Sequence, residues 1–480
     1  MTLATAFAPT RRLLALDAKL GILRQEAGAW LRDSADAQAR FALHQSQIKE
    51  VCQDLDAIRG LIAQELDGLR QLPEPALADI ERLERRILAA LQIWDSYRAK
   101  WALRIEPTLR LTLNLIDDLA WRAYRPAHER ALASGQLPPE RARLPPLVFT
   151  NPRWSPFARS REMGYELDED SGVLRQVDDF EPYLRCMPVP LIGIPWTLVA
   201  HLPDAVFVGH EVGHLVEDDL ALDGELRAAI QAVLSDETHR QAWSRHWRSE
   251  VFADLWGVLC CGPAYAQTLA ELLYGASDAA TESQPDAQGR WSAYPTRALR
   301  LQVVAQALRC LPDDAEVDGS FARVAAALEA RWRESCPGHA MADFDEDVQK
   351  VVRAMLTTPL QAFAAAKGKP AEPVLSVLCF TSAMHKAALA DVDKALGQRQ
   401  PGSDDVRVLF AGMALAFLQS PQSFRDLKAQ QRFVDRLQQR RTQGVRAGEN
   451  APPRPDAAAR SEATAARFFG LFGRASSQAK

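Results

Sequence analysis

The run Asp204-Ala-Val-Phe-Val-Gly-His210-Glu211-Val212-Gly213-His214 decides how the rest of the chain is read. As a helix, it places its two histidines, at i and i+4, one above the other on the same face. Their imidazoles can then reach a single ion, and zinc accepts imidazole nitrogen readily and favours about four ligands. Glu211 follows the first histidine, turned by about 100° around the axis. That offset aims its carboxylate at a water beside the ion rather than at the ion. Val206, Phe207, Val208 and Val212 are apolar, the composition of a buried helix. Gly213 costs a helix about 1 kcal/mol relative to alanine, so a glycine here predicts that another element approaches closely.

Working outward, Glu250-Val251-Phe252-Ala253-Asp254 begins 36 residues after His214. Glu250 and Asp254 also stand at i and i+4 on one face. Glu250 completes a His₂Glu set and leaves the fourth position for water. Asp254 is placed to accept the outer N–H of a ligand histidine, His210 in preference, and so to fix its tautomer. Val251, Phe252, Leu255 and Trp256 predict that this helix is buried. His246, four residues before Glu250, is the rival third ligand, and Glu250 is preferred.

HEVGH with a downstream ExxAD resembles the gluzincin group of zinc peptidases, of which thermolysin is the familiar member. The ExxAD form is more similar to the heat-shock and CAAX-processing membrane peptidases. Those carry a later His-Pro followed by an arginine. Here Tyr294-Pro295-Thr296-Arg297-Ala298-Leu299-Arg300 has the matching Pro295 and Arg300, with Tyr294 in the place of the histidine. The resemblance covers Val206 to Leu301. It does not extend to that family's membrane-spanning helices, nor to the GxMEN element of the related aminopeptidases. It implies zinc-dependent hydrolysis of peptide bonds in a protein or peptide substrate. Glu211 would act as general base and then pass the proton to the leaving amine, work worth typically about 10²–10⁴-fold. Tyr294, Arg300 or His201 would face the developing oxyanion. Tyr294 reads equally well as a loop residue packed at a helix start, and His201, near Pro203, as a structural histidine. By analogy with strand addition, Leu191-Ile192-Gly193-Ile194 is the strand expected to pair with an extended substrate. Two competing readings are a non-catalytic scaffold that keeps zinc as a structural clip and a helical adaptor without metal. The position of Glu211 favours an enzyme.

The 480 residues carry a net charge of −5, with 47% hydrophobic and 25% charged residues. Length predicts two or three domains, and the mild acidity gives no reason to expect a nucleic-acid partner. Seven cysteines, an odd number with no CxxC pair, read as reduced thiols of a cytoplasmic protein. Met1 to Leu20 lacks the charged-then-apolar pattern of a signal peptide. The most apolar window, Pro188 to Val208, is broken by Pro195, His201, Pro203 and Asp204, so no membrane span is expected.

The N-terminal segment shows a heptad. Leu13, Leu16, Leu20, Leu23, Ala27, Trp30, Ser34, Ala37, Phe41, His44, Ile48, Val51, Leu55, Ile58 and Ile62 step by three and four. This predicts one long coiled-coil helix ended by Pro73 and Pro75. Ile80, Leu83, Ile87, Ala90, Trp94, Tyr97 and Trp101 predict a second, kinked at Pro107 and continuing to Tyr124. The two would form an antiparallel hairpin on the order of 80–90 Å long at about 1.5 Å per residue. His44 falls on the seam as a satisfied core residue. A linker from Ser134 to Pro156, rich in proline and arginine, precedes three candidate strands, Val173–Val177, Tyr183–Met187 and Leu191–Ile194. Phe321, Val324, Leu328 and Trp332 share a helical face, and Asp404 to Leu418 reads as a buried helix ended by Pro421.

The expected fold is therefore mainly α with a small β-sheet, an α+β zincin-like core behind a helical hairpin. Its parts would be residues 1–133 as hairpin, 134–310 as metallopeptidase core, 311–442 as a C-terminal helical domain and 443–480 as a disordered tail. Phe468, Phe469, Leu471 and Phe472 in that tail read either as a frayed end or as a docking motif. The hairpin and tail are the places expected to receive a protein partner.

Overall fold

The computed structural model describes residues 9–34, 41–151, 183–184, 186–274, 291–292, 294–312, 320–335, 344–442 and 457–478. The N-terminal heptad is divided between two helices, α1 (Pro9–Ser34) and α2 (Gln45–Arg70). They lie antiparallel, with Cys52 Sγ donating to the carbonyl of Ala27. α3 (Leu77–Ala102) runs back alongside both, tied to α1 by Arg12–Glu84 and Trp94–Glu26 and to α2 by Arg86–Glu65. The expected single long helix and extended hairpin are thus replaced by a compact bundle. The apolar stripe was read correctly: Leu13, Leu16, Leu20, Leu23, Ile48, Val51, Leu55, Ile58 and Ile62 are all buried. A stripe demands a partner surface, and folding the chain back on itself supplies one.

Pro107 does not kink a continuing helix. It occupies the first turn of a new one, α4 (Pro107–Ser134), where its missing N–H is not needed. The Glu106 carboxylate caps this helix by accepting from the Thr108 and Leu109 amides. α4 leaves the bundle and joins the larger of two hydrophobic clusters, so the segment expected as one hairpin divides between two cores.

After α4, Leu147–Asn151 forms β1, which pairs in parallel with β2 (Leu191–Pro195), Leu147 opposite Leu191 and Asn151 opposite Pro195. β1 comes from the stretch read as linker. Of the three expected strands, Leu191–Ile194 is one. Tyr183 and Leu184 are helical rather than extended, and Val173–Val177 lies outside the described residues. A second two-stranded sheet joins β3 (Pro359–Leu360) to β4 (Glu372–Pro373) in antiparallel.

The rest is helical. A 3₁₀ segment, Leu202–Phe207, leads into α5 (Val208–Asp219), then α6 (Asp223–Val233) and α7 (Glu237–Gln241). A π-helical turn, Ala242–Trp247, precedes α8 (Arg248–Cys261). Gly262, at φ 58°, turns the chain into α9 (Pro263–Leu273); a side chain there would strike the Phe380 ring at 2.3 Å. There follow α10 (Arg297–Cys310), α11 (Phe321–Ser335), α12 (Asp345–Thr357), α13 (Ser382–Leu396), α14 (Val406–Gln419), α15 (Pro421–Asp426) and α16 (Ala429–Thr442). They share one buried cluster with α4, α5, α8 and α9, so residues 311–442 are continuous with the core around α5 and α8. None of the described helices is long and apolar enough to cross a membrane.

The expected disordered tail needs a correction. Ala457–Gln478 is a helix, α17, which packs on α2 and adds Ala465 and Phe468 to the bundle core. Arg460 is ion-paired with Glu50 and Asp54, and Ser461 Oγ donates to Asp54 at 2.6 Å. A composition rich in alanine, arginine and serine looks unstructured because its few apolar residues are spaced for one helical face. Those residues become ordered only against a partner. Here the partner is in the same chain, and Phe468 packs against Tyr183 with ring centroids 5.4 Å apart.

Candidate metal centre

α5 and α8 cross antiparallel, and glycine makes the crossing close. A Cβ on Gly213 would stand 2.7 Å from Ala253 Cα, and one on Gly209 3.2 Å from Gly257 Cα. The element expected to approach Gly213 is therefore α8, and small residues on both helices set the depth of contact. This crossing brings the ligand-bearing faces together.

His210, His214 and Glu250 converge, their candidate ligand atoms all within 4.8 Å of one another. The two Nε2 atoms are 3.2 Å apart. Glu250 Oε2 stands 3.4 Å from His210 Nε2, and its Oε1 3.4 Å from His214 Nε2. The outer nitrogens decide what these inner ones are. His210 Nδ1 lies 2.9 Å from Asp254 Oδ1, an acceptor, and so carries the proton. Ser249 Oγ donates its only proton to Glu217 Oε2 at 2.5 Å, so at 3.1 Å it can only accept from His214 Nδ1. With both protons outside, both Nε2 atoms in the neutral rings point lone pairs into the same space. Two lone pairs and a carboxylate facing one another repel unless a metal cation or an added proton lies between them. Glu250 Oε2 is buried with no hydrogen-bond partner among the described residues, as a ligand atom awaiting an ion would be. This donor set fits zinc.

The supporting shell is rigid. Asp254 accepts a bidentate pair from Arg300, Nε to Oδ2 at 2.8 Å and Nη2 to Oδ1 at 2.7 Å, and a bond from Tyr265 Oη at 2.7 Å. Burial alone would raise the Asp254 carboxyl, but Arg300 and His210 outweigh it and hold it at about 2. Burial lowers His210, and Asp254, by hydrogen bond and charge, with the nearby Glu250 carboxylate overcomes that and lifts it to about 9, so the ion-free protein takes up a second proton there that a metal ion would displace. Glu250 is likewise held below the usual carboxylate range by the two histidines despite its burial. On the other histidine, Arg248 Nε donates to Glu217 Oε1 at 2.6 Å, which orients the Glu217 carboxylate toward Ser249.

Glu211 is half-buried beside this group. Burial raises its carboxyl, the charges of His210 and His214 lower it in part, and Glu250 raises it again. A base whose affinity for protons is raised by its surroundings suits proton transfer near neutrality.

The other expected site residues are placed differently. Arg300 is buried, and its Nε and Nη2 are bound to Asp254, so it orients that carboxylate. The Tyr294 ring lies 5.9 Å from the Arg300 guanidinium carbon, at the edge of the same network. His201 faces Asp204 at 3.6 Å and meets the Phe417 ring edge-on at 4.4 Å, contacts of the structural kind. His246 is outside the converging group. His44 is buried with Gln47 Oε1 and Asn114 Oδ1 on its two nitrogens, the satisfied core residue expected.

Four contributors were not read from the sequence: Glu217, Arg248, Ser249 and Tyr265. Glu217 follows His214 by three, on the same face, and the signal was there. Set in Glu217-Asp218-Asp219, it has the composition of a solvated helix end. Ser249 and Arg248 became legible only once α8 was docked, and Tyr265 reaches Asp254 from α9, across the Gly262 turn.

No protein family, characterised protein or solved structure matches this chain.

Proposed function

We propose that the chain is a zinc-dependent peptidase, with His210, His214 and Glu250 as ligands and Glu211 as general base. The observation that carries this reading is the pair of inward Nε2 lone pairs, each fixed by a proton on the opposite nitrogen, facing an unpartnered Glu250 oxygen with Glu211 alongside. A zinc ion held there supplies Lewis acidity toward the scissile carbonyl and makes water a better acid. Glu211 takes the proton from the attacking water and returns it to the departing amine. Asp254, with Arg300 and Tyr265, holds a proton on the outer nitrogen of His210 so that Nε2 faces the ion, and Glu217 with Ser249 does the same for His214. β2 packs against α5, and among the described residues only its edge toward β1 is paired. An extended peptide adding to the other edge would run past the metal helix, which favours peptides over small amides as substrates.

The test is metal content and peptide hydrolysis for three chains. The native chain should hold one zinc per molecule and cleave a peptide library. Glu211→Gln should keep the zinc and lose cleavage by at least about 10²-fold. Glu250→Ala should lose the metal. Cleavage by Glu211→Gln at the native rate would overturn the catalytic assignment. Native chain with zinc but without cleavage of any peptide would leave the ion as a structural clip.

A further inference from the structure

Away from the candidate metal centre, a small pocket, partly open to solvent, lies where α17 meets the segment before β1. Four arginines line it: Arg141 and Arg143 from that segment, Arg460 and Arg467 from α17. Glu140 is the one acid in the lining. Two of the arginines have carboxylate partners, Arg143 with Asp219 at 2.9 Å and Arg460 with Glu50 and Asp54. Among the described residues, no carboxylate lies within ion-pair distance of Arg141 or Arg467. Arg467 holds only neutral oxygens, the carbonyls of Ala463 and Cys186 and the Thr464 hydroxyl, at 3.2–3.4 Å. Arg460 is 2% exposed, yet its Nε–H has no hydrogen-bond partner among the described residues. Arg460 thus keeps an unsatisfied donor despite its two carboxylates, and Arg141 and Arg467 add positive charge without carboxylates of their own among the described residues, a surplus that a bound anion would offset.

We propose that this cavity binds a phosphate group, held by Arg141, Arg143, Arg460 and Arg467. A tetrahedral oxyanion offers several acceptor oxygens to guanidinium forks arriving from different sides, and the cavity is small enough to exclude a folded partner. Burial pushes Arg467 down, and repulsion from Arg143 and Arg141 adds to it, a penalty that a bound dianion reverses. The four side chains come from two segments far apart in the sequence, so an occupied site clamps the tail helix onto the body. Arg143 connects the clamp to Asp219, the last residue of the metal-binding helix α5. The bound group is either free phosphate or a small phosphate ester.

Isothermal titration of the full chain at pH 7.5, with chloride at matched ionic strength as reference, tests this. Inorganic phosphate should bind saturably at one site, and Arg467→Ala or the exposed Arg141→Ala should each weaken it by roughly tenfold or more. Arg98→Ala, on an outer face of the bundle, should leave it unchanged. Glu250→Ala, which lacks a metal ligand, should bind phosphate as the native chain does, which separates this site from phosphate held on zinc. Tighter binding of glycerol 3-phosphate than of inorganic phosphate would identify the ester as the ligand, and the reverse would identify the free ion. Occupancy should also slow amide exchange in α17. Absence of saturable binding, equal binding by both arginine variants, or binding lost in Glu250→Ala would overturn the proposal.

Discussion

Gly213→Ala separates local helix preference from tertiary geometry, because the two predict opposite signs. In an isolated helix the change is stabilising by about 1 kcal/mol. In this protein the new methyl would sit 2.7 Å from Ala253 Cα and 2.8 Å from Trp256 Cβ. Ordinary contact begins near 3.4 Å, so α5 and α8 must part by about 0.7 Å, and one of the two struck atoms is backbone that no side-chain rotation can move. Overpacking of this kind costs about 1–3 kcal/mol, so the net effect is a loss of up to about 2 kcal/mol. The same displacement pulls Glu250 on α8 away from His210 and His214 on α5, and zinc affinity should fall by at least about tenfold. Denaturant unfolding of the zinc-free chain measures the first quantity, and competition with a chromophoric chelator the second. Gly60→Ala is the control: nothing lies within 4 Å of that position, so the propensity gain should appear there undiminished. A Gly213→Ala chain as stable as Gly60→Ala, with native zinc affinity, would refute the view that this close crossing builds the site.

Three further outcomes are expected. Ser249→Ala removes the acceptor on His214 Nδ1 and the hydroxyl proton given to Glu217 Oε2, so zinc affinity should drop by about 10–100-fold while the fold persists; unchanged affinity in the chelator assay would show that the relay is idle. His44 is buried, and burial first and Arg104 second lower it from 6.5 to about 4. The unfolded chain therefore binds a proton that the native chain does not between these values. Stability should fall by about 2 kcal/mol between pH 7 and pH 5, relative to a His44→Gln chain; parallel pH profiles of the two chains would contradict it. Ending the chain after Thr442 uncovers the face that Phe468 covers and removes Arg460 and Ser461 from Asp54, so the α1–α3 bundle should lose about 3 kcal/mol or more. Zinc binding should survive in that shortened chain, and an unchanged denaturant midpoint would show that α17 contributes nothing.

The candidate metal site was largely legible in the residues because its spacing is a property of single helices. His210 and His214, like Glu250 and Asp254, are related by one helical turn, and that relation holds wherever the helix goes. Even the approach to Gly213 was foreseeable, since a glycine within a helix signals a neighbour. The apolar stripes of α1–α3 were legible for the same reason.

What the sequence by itself determined was therefore local: which stretches are helical, which face of each is apolar, and which polar residues share a turn. The tertiary structure decided everything that depends on a second element. It folded one heptad stripe into two helices, turned an alanine- and arginine-rich tail into a packed helix, and drew β1 out of a linker. It bound Arg300 to Asp254 instead of a cleft and recruited Glu217, Ser249 and Tyr265 to the histidines. The reason is that periodicity specifies a face but not what covers it, and a buried polar group acquires its role only from the partner that packing brings within hydrogen-bond distance.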